Sequence, residues 1–195
     1  MSSRAVFLDK DGTLVEDIPY NVDPDRIRLT EGAYEALRLI QEHDFKLIVI
    51  SNQSGVARGF FQERDLFQVR SMLKQLLAAA GVFLTDFYYC PHLPEGSVRE
   101  YAVDCTCRKP QPGMLYRAAQ EHDLDLSASW LVGDILHDIE AGNRAGCRTV
   151  LLDNGHETEW QLSPGRQPDF IVKNLKGAAD KITADSLERN LNYGK

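Results

Sequence analysis

The stretch Val6-Phe7-Leu8-Asp9-Lys10-Asp11-Gly12-Thr13-Leu14 is an apolar run that stops at two carboxylates two positions apart, followed by a glycine and a threonine. Side chains at i and i+2 leave a strand on the same side. Asp9 and Asp11 therefore converge on one point just past a strand end. Two carboxylates there repel, and a cation between them relieves the repulsion. Mg²⁺ binding and attack on a phosphate are the uses such a pair suggests. Asp-Lys-Asp-Gly is also ordinary turn chemistry, so the pair takes its meaning from the segments around it.

Outward from this stretch, short apolar runs alternate with longer helical patterns. Strands are expected at Ala5–Leu8, Lys46–Ser51, Asp86–Tyr89, Trp130–Val132, Thr149–Leu152 and Phe170–Val172. Between them, Glu31–His43 and Glu63–Ala80 carry apolar residues at helical spacing, with Thr30 as the expected N-cap of the first. Gly113–His122, Asp138–Ala145 and a weaker Leu175–Ile182 complete the helices. This alternation predicts a doubly wound, Rossmann-like α/β fold, with a mostly parallel sheet and helices on both faces. Ligands of such sheets bind outside the carboxyl ends of the strands. Asp9, Ser51 and Asp134 all fall there, on one rim. No large insertion follows Gly12 or Ser51, so no separate cap domain is expected.

The 195 residues suit a single domain, drawn at 1–186, with 187–195 a tail expected to fray. A formal net charge of −7 argues against nucleic acid or an anionic membrane as partner. No apolar run approaches the ~18 residues of a membrane span, and the N-terminus has no signal-peptide pattern. A cytoplasmic monomer acting on a small phosphorylated metabolite is expected.

Three further segments carry chemistry. Ser51-Asn52-Gln53-Ser54-Gly55 follows a buried strand, where a hydroxyl and free backbone N–H groups can hold phosphate oxygens. In Gly133-Asp134-Ile135-Leu136-His137-Asp138, one carboxylate follows a strand and another comes four residues on, as metal ligation with a supporting group requires. Asp138 also reads as a helix cap. Arg108-Lys109-Pro110 offers a bidentate cation and a point charge for phosphoryl oxygens. Finally, Cys90-Pro91-His92 and Cys105-Thr106-Cys107 flank a polar loop. A closed Cys₃His tetrahedron holding structural Zn²⁺ is the preferred reading of this zinc loop, 90–107. A Cys105/Cys107 disulfide, or unrelated thiols, is the alternative. Cys147 reads as a core residue, and His43, His122 and His156 as surface or loop residues.

Taken in order, Asp9/Asp11, Ser51, Lys109 and Asp134/Asp138 resemble the motifs of the haloacid dehalogenase-like phosphatase superfamily. The resemblance implies that Asp9 is the nucleophile and forms an aspartyl-phosphate. It makes Asp11 the general acid and then the base, and gives Ser51 and Lys109 the phosphoryl oxygens. Asp9, the Asp11 backbone carbonyl and Asp134 would bind Mg²⁺, with Asp138 orienting them. The zinc loop, Asn52 to Gly59 and Cys107-Arg108-Lys109-Pro110 look like the D-glycero-D-manno-heptose 1,7-bisphosphate 7-phosphatase branch. By that resemblance Asp17, Tyr20, Ser51, Asn52, Gln53, Ser54, Arg108 and Lys109 contact a sugar phosphate. Ile135 stands where some heptose enzymes carry a lysine. The related histidinol-phosphate phosphatases are the alternative, and a nucleic-acid end phosphatase a more distant one.

Overall fold

The computed structural model describes residues 3–193, with side chains through 188. Its six strands are β1 (Arg4–Leu8), β2 (Phe45–Asn52), β3 (Leu84–Cys90), β4 (Trp130–Gly133), β5 (Arg148–Leu152) and β6 (Phe170–Val172). They form one parallel sheet in the order β3-β2-β1-β4-β5-β6. The strand order reverses beside β1, where successive connections leave in opposite directions and open a crevice at the carboxyl edge.

Five helices cover the sheet: α1 (Ala33–Glu42), α2 (Asp65–Ala79), α3 (Gly113–His122), α4 (Leu136–Ala145) and α5 (Leu175–Tyr193). On one face, Val6 and Leu8 of β1 join Leu37 and Ile40 of α1, Val69 and Leu73 of α2, and Ala179 and Ile182 of α5. On the other, Ala5 and Phe7 pack with Met114 and Leu115 of α3 and Ala141 of α4. Burial on both faces explains why the β1 run is apolar throughout rather than alternating.

All six expected strands and five expected helices are present, and the differences lie at their ends. Thr30 does not cap α1. Gly32 holds that position with φ +74° and no side-chain cap, while Thr30 Oγ1 donates to Thr13 O at 2.9 Å. The hydroxyl is used to tie the turn after β1 to α1. Helix α4 starts at Leu136, two residues before the expected Asp138. Asp138 still serves its N-terminus, accepting from Ile135 N at 3.4 Å. Helix α5 continues to Tyr193, past the expected end at Ile182. A formed helix extends at one bond per residue fixed, so a sparse apolar pattern did not stop it. The tail expected to fray, 187–195, is thus helical to Tyr193, and residues 194 and 195 lie outside the described residues.

Candidate active site

The carboxyl ends of β1, β2 and β4 bring the expected acidic and polar residues together. Asp9 directly follows β1 and its N–H donates to Val132 O of β4 at 2.9 Å. Asp134 directly follows β4, and Asp138 stands on the first turn of α4. One oxygen from each of Asp9, Asp134 and Asp138 lies within 4.8 Å of the others, and all three residues are buried. Lys109 reaches in from the segment before α3. Its ammonium donates to Asp9 Oδ1 at 2.5 Å and to Ile50 O at 3.1 Å, and pairs with Asp138 Oδ1 at 2.6 Å.

One buried cation thus faces three buried carboxylates. Burial, the largest influence, raises the Asp9 carboxyl to about 7; Lys109 opposes this, while Asp138 and Asp11 add to it. Burial and then the Asp9 and Asp138 charges raise Asp134 to about 8. For Lys109, burial works against the ammonium, but Asp138 and Asp9 outweigh it and hold it above its usual range. The donor set is all oxygen and carries surplus negative charge, which suits a hard divalent cation.

Asp11 sits on the more open side, its side chain 32% accessible against 11% for Asp9. Lys10 Nζ donates to Asp11 Oδ1 at 2.5 Å and Gln53 Nε2 to Oδ2 at 3.0 Å. The same Gln53 nitrogen donates to Ser51 Oγ at 2.8 Å. Gln53 therefore links the ends of β1 and β2. Asn52 turns the other way and clasps the Lys109 backbone, donating to its carbonyl at 3.0 Å and accepting from its N–H at 2.9 Å. Ser54 is half-buried in the same loop. Arg108 donates to His92 O at 3.2 Å. Asp17 and Tyr20 are exposed, and Tyr20 meets Phe60 edge-on at 4.6 Å between centroids.

Gly12 is required twice over. Its φ is +79°, and an added Cβ would lie 2.1 Å from Asp134 Oδ2 and 2.4 Å from His156 Nδ1. Sequence patterns missed several partners around it. Thr13 Oγ1 approaches Asp134 Oδ1 at 3.4 Å, and Lys10 pairs with Asp11. His156, expected to be an uninvolved loop residue, contacts Asp134 Oδ2 at 2.6 Å. The only local signal for that contact was the glycine.

Cys90, His92, Cys105 and Cys107 also converge. Cys90 Sγ lies 3.5 Å from Cys105 Sγ and 3.1 Å from Cys107 Sγ, which is 3.3 Å from Cys105 Sγ. His92 Nδ1 lies 3.6 Å from Cys90 Sγ and 3.4 Å from Cys107 Sγ. The sulfurs are too far apart for a disulfide, so the expected alternative pairing is not formed. Bonds of about 2.3 Å to a tetrahedral ion imply edges of about 3.8 Å, close to this array. Its hydrogen bond with Cys90 leads the influences that bring the Cys107 thiol down to about 5. The donor set could hold a soft or borderline metal ion.

Comparison with known proteins agrees with this geometry. A family model described as HAD-hydrolase-like matches residues 106–178. The chain is 41% identical over 151 residues to the D-glycero-beta-D-manno-heptose-1,7-bisphosphate 7-phosphatase of Yersinia pestis, covering 77% of this chain and 80% of that one. It is 36% identical over 156 residues to the D-glycero-alpha-D-manno-heptose-1,7-bisphosphate 7-phosphatase of Photorhabdus laumondii, covering 80% and 85%. The solved D,D-heptose 1,7-bisphosphate phosphatase from B. bronchiseptica, complexed with magnesium and phosphate, aligns with a TM-score of 0.79 and 29% identity, over 93% of this chain and 99% of that chain. Fold and site define a HAD-like phosphoric monoester hydrolase. The chain belongs to the D-glycero-D-manno-heptose-1,7-bisphosphate 7-phosphatase family.

The surplus negative charge has a measurable consequence. Asp9 and Asp134 ionise at about 7 and about 8 in the fold and near 4 when unfolded. Between those limits the folded chain binds more protons, so its stability falls as pH rises from about 4 to about 8. Asp134→Asn should raise the melting temperature of Mg²⁺-free protein at pH 8 by about 4 °C or more, at ~2–4 °C per kcal/mol for this chain length, and by less at pH 5. Equal melting temperatures at pH 8, followed by circular dichroism, contradict this account of the cluster.

Proposed function

We propose that this protein removes the 7-phosphate of D-glycero-D-manno-heptose 1,7-bisphosphate through an aspartyl-phosphate on Asp9. The product would feed ADP- or GDP-heptose synthesis for lipopolysaccharide or S-layer glycans. The observation that carries the reading is the convergence of Asp9, Asp11, Ser51, Lys109 and Asp134 at one sheet edge, in a chain 41% identical to a heptose-bisphosphate phosphatase.

The chemistry follows from the geometry. Lys109 holds Asp9 Oδ1, which orients the carboxylate and lets its second oxygen attack phosphorus. The bond from phosphorus to the sugar oxygen breaks as Asp11 gives that oxygen a proton. Asp11 then takes a proton from the water that attacks phosphorus and frees Asp9. Its hydrogen bonds from Lys10 and Gln53 aim the carboxyl through both steps. Ser51 and Lys109 supply donors to the phosphoryl oxygens. Mg²⁺, held by Asp9, Asp134 and the Asp11 carbonyl, would screen the repulsion between carboxylate and phosphate. Asp138 would keep Lys109 and the ligands in place.

Asp17, Tyr20, Asn52, Ser54 and Arg108 are taken to form the sugar side of the pocket, Asn52 by placing Lys109. Residues 1–186 are taken as one catalytic domain. Zn²⁺ on Cys90, His92, Cys105 and Cys107 would brace the loop that carries Arg108 and Lys109. It has no open position, so its role would be structural. The protein is taken to act as a cytoplasmic monomer on this small sugar bisphosphate, not on nucleic acid or a membrane. The net charge of −7 supports that reading. Among the described residues no helix is long and apolar enough to cross a membrane.

Phosphate release should be faster from heptose bisphosphate than from histidinol phosphate or fructose bisphosphate, and Asp9→Asn should lower it by at least about a thousandfold with the fold intact. Preference for histidinol phosphate reverses the substrate assignment, and an active Asp9→Asn removes the nucleophile. Elemental analysis should find one zinc per chain, lost in Cys105→Ser. Purified protein without zinc contradicts the Cys₃His site.

A further inference from the structure

The segment that follows β5 makes contacts that the reaction as described does not use. Asn154 Nδ2 donates to Gly12 O at 2.7 Å. His156 Nδ1 lies 2.6 Å from Asp134 Oδ2. Glu157 Oε2 accepts from Leu136 N, the first residue of α4, at 2.6 Å. Gly155 lies between the first two with φ +98°, a conformation that lets the chain turn both neighbours onto the site. Three residues of one exposed loop therefore grip three parts of the carboxylate cluster: the turn after Asp9 and Asp11, Asp134 itself, and the helix start that carries Asp138.

We propose that Asn154–Glu157 is a positioning strap for the divalent-cation site, with His156 as its working residue. The imidazole Nδ1–H donates to Asp134 Oδ2 and fixes the rotation of that carboxylate. Oδ1, approached by Thr13 Oγ1 at 3.4 Å, would be the oxygen offered to the cation. Losing a hydrogen bond that orients a metal ligand typically costs about 10- to 100-fold in metal affinity. A loosely held Asp134 would rotate about its side-chain bonds and lose that freedom on each binding event. Gly12 belongs to the same device, since any Cβ there would displace both the imidazole and the carboxylate. The inference rests on the reading of Asp134 as a Mg²⁺ ligand.

The test is Mg²⁺ binding to the full chain without substrate, measured by titration calorimetry. His156→Ala should raise the dissociation constant for Mg²⁺ about 10- to 100-fold. His156→Asn should recover most of that loss, because its amide nitrogen falls where Nδ1 does. The His156 side chain is 38% accessible, so both variants should melt with the wild-type protein in Mg²⁺-free buffer. At saturating Mg²⁺ the KM for substrate should be unchanged. If His156→Ala binds Mg²⁺ as tightly as wild type, or tighter, while Asp134→Asn binds none, the strap is wrong and the cation site stands. If Asp134→Asn binds Mg²⁺ like wild type, the cation reading itself fails.

Discussion

The ammonium of Lys109, buried between the carboxylates of Asp9 and Asp138, is the contact on which the site depends. Taking those charges out of water is expensive, and their mutual attraction repays it only with close geometry. The geometry is close: 2.5 Å on one side and 2.6 Å on the other. With Asp134 counted and all three carboxylates ionised, the cluster would carry two negative charges beyond the single cation. A surplus of that size on an all-oxygen donor set suits a divalent cation.

The rest of the fold serves to hold Lys109 there. Its position comes from a chain segment rather than from the sheet, so the sequence must restrain that segment. Asn52, at the end of β2, clasps its backbone from below. Cys107, two residues earlier, ties it to Cys90 at the end of β3. Gly113 N donates to Thr106 O at 2.9 Å, joining the start of α3 to the same cysteine turn, and a Cβ on Gly113 would lie 2.3 Å from that oxygen. The Cys₃His cluster is thereby joined to the Lys109 segment through backbone. The 90–107 loop is also docked on the loop that follows β2, where Val98 N donates to Ala57 O at 2.9 Å and Ser97 Oγ to Arg58 O at 2.9 Å.

Much of this was legible in the sequence, for identifiable reasons. Strands buried on both faces leave unbroken apolar runs, and Val6-Phe7-Leu8 or Leu47-Ile48-Val49-Ile50 can be read directly. Chemistry placed at strand ends is equally visible, because a carboxylate that breaks off an apolar run must lie at the edge of the core. What escaped were contacts between loops distant in sequence. Thr30 looked like a helix cap because capping is the commonest local use of such a residue, but its hydroxyl was claimed by Thr13 O. His156 lies 22 residues beyond Asp134 in an exposed loop, and no periodicity connects them. Nothing in the local pattern signalled that Lys10 folds back on Asp11. Local patterns report periods of two and 3.6 residues; they are silent on which loop closes over which strand end.

The central claim is that Asp9, and no other carboxylate of this cluster, becomes phosphorylated during turnover. An acyl phosphate on an aspartate is reduced by borohydride to homoserine, which peptide mass spectrometry locates by residue. Enzyme quenched during steady-state hydrolysis of heptose bisphosphate and treated in this way should carry homoserine at position 9, dependent on substrate. Homoserine at position 11 or 134, or unmodified protein from a quench that captures active turnover, would contradict the account.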